Sequence, residues 1–178
     1  LRFIPARLQI GVGDTVKWNN TTPVPHTVTF TSGAPAPDLI LPEFTSAGPP
    51  SLVVNPQVLF PVKTSSQYAG TGYVNSGFLG AGPEATGGTS FSLTFTRAGT
   101  YSYICVLHAD QGMAGVIEVG GATGLVPPRT GDAGLADHGD GDVGPVLIRG
   151  ELSLAESEVS GEIIIDDGDK GIAAAAHT

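Results

Sequence analysis

The chain is short of what most functional classes require. It has one cysteine in 178 residues, so no internal disulfide can form, and a lone thiol has to be ligated, buried or reactive. Eight Lys and Arg side chains, scattered along the sequence, build no surface for nucleic-acid phosphate. No apolar run is long enough to span a bilayer. The formal charge of −9 is unevenly placed. Residues 1–120 carry six acids against five bases, whereas 121–178 carry eleven acids against three, so the acidity belongs to the tail. That tail reads as a solvated extension. What the chain has in quantity is turn formers: Gly 26 and Pro 14 argue for many short elements and against long helices.

Between the turns, apolar residues recur at the two-residue period of half-buried strands. Leu8-Gln-Ile10, the turn Gly11-Val-Gly-Asp14, and Thr15-Val-Lys-Trp-Asn19 read as strand, turn, strand, with Val16 and Trp18 on one face. His26-Thr-Val-Thr-Phe30 places His26, Val28 and Phe30 together. Ser90-Phe-Ser-Leu-Thr-Phe-Thr96 does the same for Phe91, Leu93 and Phe95. Tyr101, Tyr103 and Cys105 share a side of the next strand, and Gly115-Val-Ile-Glu-Val119 closes the pattern. Such strands predict an all-β domain of two antiparallel sheets packed face to face over residues 1–120. Residues 31–89 form a long insertion, in which Ser51-Leu-Val-Val54 and Val58-Leu-Phe60 are expected as short strands. Residues 121–178 read as a Gly/Asp-rich linker and acidic tail, with Val146-Leu-Ile-Arg149 and Glu162-Ile-Ile-Ile165 as a candidate hairpin.

Three soft or borderline ligands lie close together in Cys105-Val-Leu-His-Ala-Asp-Gln-Gly-Met113: Cys105, His108 and Met113, with His26 as a candidate fourth. One thiolate, two imidazoles and a weak thioether make the ligand set of a type 1 copper site. Thiolate and thioether favour Cu(I) and imidazole serves either oxidation state, so the set suits one-electron transfer. Cys105 ends a strand, His108 follows in the loop, and Met113 begins the next strand, so one short loop presents all three. His138 and His177 lie in the tail and read as solvated. A catalytic copper would need further histidines, so the chain is expected not to be an enzyme.

Residues 101–119 resemble the C-terminal copper motif of plastocyanin in the cupredoxin family, with its Cys-x2-His-x4-Met spacing. Phe3-Ile-Pro5, Val12-Gly-Asp-Thr-Val-Lys-Trp-Asn-Asn20 and Pro25-His-Thr-Val28 resemble its N-terminal half. The resemblance implies a Greek-key β-sandwich and one mononuclear copper ion held by His26, Cys105, His108 and Met113. It further implies single-electron carriage between transient protein partners in the periplasm or at the outer face of the cell membrane. A monomer is expected, and membrane attachment through residues preceding Leu1 stays open. Thr27 stands where plastocyanins commonly carry Asn, and Leu107 where Pro often precedes the loop histidine. The alternative of copper storage or delivery on the same fold would favour more Met or Cys than this chain has.

Overall fold

Alternating segments become short strands in a computed structural model that describes residues 1–46, 48–120 and 159–168. In chain order these are Arg2–Ile4 (β1), Arg7–Ile10 (β2), Thr15–Asn19 (β3), Thr29–Phe30 (β4), Ile40–Glu43 (β5) and Ser51–Val54 (β6). One helical turn, Pro56–Leu59 (α1), precedes Pro61–Val62 (β7), Gln67–Tyr68 (β8) and Val74–Ser76 (β9). Ser90–Phe95 (β10), Gly99–Ile104 (β11), Ala114–Val119 (β12) and Val159–Asp166 (β13) complete the set. Two sheets result, ordered β1-β13-β3-β10-β8 and β2-β12-β11-β4-β9-β7, while β5 and β6 form a separate ribbon. The all-β sandwich expected from the sequence is what forms.

The predicted faces close on one another. Val16, Trp18, Leu93 and Phe95 are buried from the first sheet, Phe30, Tyr103 and Ile117 from the second. Trp18 bridges the layers, its ring edge-on to Tyr103 at 5.4 Å and to Phe30 at 5.9 Å. Such crossed aromatics add to the apolar area they remove from water. Tyr103 also lies across its strand partner Gly115, where a Cβ would sit 2.3 Å from the ring's Cζ. Only glycine fits there.

Three expectations meet a different local structure. Val58-Leu-Phe60 is not a strand, since α1 runs through Leu59. Asn55 accepts the Gln57 N–H as an N-cap and Pro56 opens the helix, where its missing N–H costs nothing. From His26 to Phe30 only Thr29–Phe30 is regular strand, and all five residues are buried. The inner face is filled as the period predicts, and the outer face, with Thr27 and Thr29, is covered by the insertion through β9. In the tail, Glu162-Ile-Ile-Ile165 is strand, but β13 lies inside the first sheet, parallel to β3 and antiparallel to β1. Ile163 and Ile165 are buried beside Trp18 and Phe3, while Ile164 is exposed. Val146-Leu-Ile-Arg149, the linker over 121–145, His138 and His177 lie outside the described residues.

Candidate metal centre

Where β11 ends, the main chain ties three of the four candidates into one loop. Cys105 leaves the strand in extended conformation and a 3-10 segment, Val106–Gln111, follows. The Cys105 N–H donates to the Met113 carbonyl at 3.0 Å, continuing the β11–β12 pairing beyond both strands. The His108 N–H donates to the Cys105 carbonyl at 3.1 Å, and the Met113 N–H to the His108 carbonyl at 3.2 Å. Gly112 closes the loop in the left-handed region at φ 76°, a conformation glycine adopts without steric penalty. Cys105, His108 and Met113 are thus mutually positioned before any side chain is considered.

His26 comes from across the second sheet, held by a segment the sequence left without a role. Its N–H donates to the Leu79 carbonyl at 3.0 Å and its carbonyl accepts the Leu79 N–H at 2.7 Å. Asn20 Nδ2 also donates to the Leu79 carbonyl, at 2.7 Å, and to that of Val24 at 2.8 Å. Next along, the Val28 N–H donates to Ser76 Oγ at 2.8 Å. The insertion therefore fixes His26 through Ser76 and Leu79.

The side chains converge. Nδ1 of His26 lies 3.7 Å from Cys105 Sγ and Nδ1 of His108 lies 3.4 Å from it. The two imidazole centroids are 4.6 Å apart. One donor atom from each of the three residues falls within 4.8 Å of the others. Met113 is buried in the same core as Cys105. His26 Nε2 is buried with no hydrogen-bond partner among the described residues.

Electrostatics keep protons off the two imidazoles. Burial, followed by the neighbouring His108, lowers the His26 pKa to about 4, and burial lowers that of His108 as well. Both rings are then neutral near pH 7, with a lone pair free for a metal. Burial raises the Cys105 pKa, against donors from the Thr27, His108 and Leu107 backbone and the Thr27 side chain. The sulfur accepts the Thr27 N–H at 3.3 Å. A bound cation inverts this balance by stabilising the thiolate directly. A buried thiol facing two neutral imidazoles, with a methionine in the same loop, fits copper.

Sequence reading missed the supports: Asn20, Asn75, Ser76 and Leu79. The only trace of the last three is Val74-Asn-Ser-Gly-Phe-Leu79, a polar pair set among apolar residues, with no period to mark it.

The sequence profile of the copper binding proteins, plastocyanin/azurin family, matches residues 1–120. Among solved structures, the chain is similar to a mutant of amicyanin in its Cu(I) form. That match has 25% identity over 65% of this chain and 70% of the other, with a TM-score of 0.37. A second, reduced amicyanin mutant matches at 26% identity with the same coverage and TM-score. No curated protein sequence matches.

Proposed function

Because the chain belongs to the plastocyanin/azurin family of copper-binding proteins, we propose that it carries single electrons between redox partners. In this reading Cys105 Sγ, Nδ1 of His26 and of His108, and the Met113 thioether as a weak donor would hold the copper. Copper bound there supplies a one-electron couple. The protein's part is to hold the donors still. Cys105, His108 and Met113 are locked by the loop's own main-chain bonds, and His26 by its paired bonds to Leu79. Donors that do not relax when the charge changes keep the cost of each transfer low.

The two histidines differ in one respect that favours His108 as the exit. His26 is fully buried, whereas His108 is half-buried at the end of the sandwich. Electrons leave through the His108 ring edge. Exposed Pro23, Val24 and Ala109, with half-buried Pro25 and Leu107, flank the two ligands in sequence and supply an apolar rim. A small contact of that kind suits brief redox encounters. The functional unit is residues 1–120 completed by β13, a monomer working outside the cytoplasm and catalysing no reaction itself.

The observation that carries this reading is the convergence of two imidazole Nδ1 atoms on one buried sulfur. Cu(II) is added to the metal-free protein and to Cys105→Ser, and absorption and paramagnetic-resonance spectra are recorded. An intense visible thiolate-to-copper band in the parent, lost in the variant, is expected. A parent that holds copper only as colourless Cu(I) supports storage or delivery instead, and a parent that binds Cu(II) without the band, or takes up no copper, rejects the ligand assignment.

A further inference from the structure

A line of buried hydroxyl and amide groups ends at the thiol, and electron carriage as proposed makes no use of it. Thr27 follows His26 in the chain and sits against the sulfur, its N–H donating to Cys105 Sγ at 3.3 Å. Its hydroxyl oxygen accepts the N–H of Val106, the residue after Cys105, at 2.8 Å. The same oxygen accepts the Thr29 hydroxyl at 3.0 Å, and Thr29 Oγ1 also lies 2.9 Å from Asn75 Oδ1. Asn75 Nδ2 faces the carbonyls of Gln57, Val58 and Phe60 at 2.9, 2.9 and 3.1 Å. Thr27, Thr29 and Asn75 are each 0% exposed.

Counting protons shows where the line discharges. A hydroxyl has one proton to give and two lone pairs with which to receive. At Thr27 both lone pairs are engaged, one by the Val106 N–H and one by the Thr29 hydroxyl. The Thr27 proton must therefore go to another acceptor, and burial rules out solvent. A buried proton left without an acceptor is costly. The acceptor at hand is the Cys105 sulfur, which takes hydrogen bonds from both the backbone and the side chain of Thr27. Residue 27 thus offers the sulfur two donors. Thr29 and Asn75, anchored on the carbonyls of Gln57, Val58 and Phe60, hold the second one in place.

We propose that Thr27, steadied by Thr29 and Asn75, is a positioning residue of the copper centre whose hydroxyl bond to the Cys105 sulfur raises the reduction potential. A hydrogen bond to a metal-bound thiolate withdraws electron density from it, weakens its donation to Cu(II) and favours Cu(I). Each hydroxyl in the line polarises the next, so Thr29 strengthens what Thr27 gives. The insertion, which carries Asn75, thereby tunes the metal without touching it. This inference rests on Cys105 being a copper ligand.

The test compares full-length, copper-loaded Thr27→Val, which keeps the shape and loses the hydroxyl, with Thr27→Ser, which keeps the hydroxyl. Both retain the main-chain N–H. In Thr27→Val the preference for the reduced state falls about tenfold, a downward shift of about 59 mV for one electron. Its visible band moves to longer wavelength, because a thiolate with one donor fewer gives up its electron more readily. Thr27→Ser keeps the parent's potential and band. Thr29→Val, with Thr27 intact, lowers the potential by a smaller step. Equal potentials in the two Thr27 variants, or a rise in either valine variant, overturn the proposal. Should Thr27→Val not fold, proton NMR of the unmodified protein in its diamagnetic Cu(I) form decides. The Thr27 hydroxyl proton is expected close to the Cys105 methylene, and one turned toward Thr29 instead overturns the proposal. A parent lacking the visible band sinks the ligand assignment, whereas a banded parent with indistinguishable Thr27 variants sinks only the tuning.

Discussion

β13 is joined to the rest through residues 121–158 and sits between β1 and β3. Its two-residue period provides a matched pair of substitutions. Ile163 is 0% exposed and pairs with Trp18, while Ile164, one residue on, is 45% exposed and faces outward. Truncating a fully buried isoleucine removes its transfer free energy and leaves a cavity, about 2–5 kcal/mol in all. Truncating a half-exposed one costs less than about 1 kcal/mol. For a fold of this size, about 3 kcal/mol lowers the melting temperature by roughly 10 °C. Urea titrations of the full chain with Ile163→Ala or Ile164→Ala provide the assay. The single tryptophan, Trp18, is a direct probe because it is buried against the strand in question. If the two variants unfold at the same midpoint, or Ile163→Ala costs under about 1 kcal/mol, β13 does not occupy that place.

Acid should destabilise the metal-free protein well above the carboxylate range. His26 titrates near 4 when folded against 6.5 ordinarily, so the unfolded chain binds the extra proton between those values. Stability is then level above about pH 6.5 and falls by about 1.4 kcal/mol per pH unit, roughly 3 kcal/mol in all by pH 4. The lowered His108 pKa acts in the same direction. Urea midpoints at pH 7, 5.5 and 4.5 check this, and a flat series contradicts it. Gly115→Ala places a Cβ 2.3 Å from the buried Tyr103 ring and should cost about 1–3 kcal/mol by overpacking. Gly112→Ala meets open space and strains only the left-handed backbone, for about 1 kcal/mol. Thermal melts that rank Gly112→Ala as the more damaging would contradict the Tyr103 packing.

How much of this was legible in the sequence depended on whether the cause was local. β3, β10, β11 and β12 were readable because their alternation is imposed by a half-buried sheet face. Cys105, His108 and Met113 were readable because one loop presents them. His26 was tied to them only through resemblance, since its place is set by pairing with Leu79, distant in sequence. Thr27 and Thr29 matched the exposed side of a strand, and only the covering insertion makes them interior. In Val58-Leu-Phe60 the apolar run suggested strand, while the Asn55 cap and Pro56 just before it decided for helix. The isoleucines of β13 announced a strand, but nothing local says that its neighbours are β1 and β3.

The most direct test of the account is the anomalous scattering of crystals loaded with copper, measured at the metal's absorption edge. The account predicts one strong peak bounded by Nδ1 of His26, Nδ1 of His108 and Sγ of Cys105, with the Met113 thioether beside it. A peak elsewhere, or one from which the His26 ring has swung away, would contradict it.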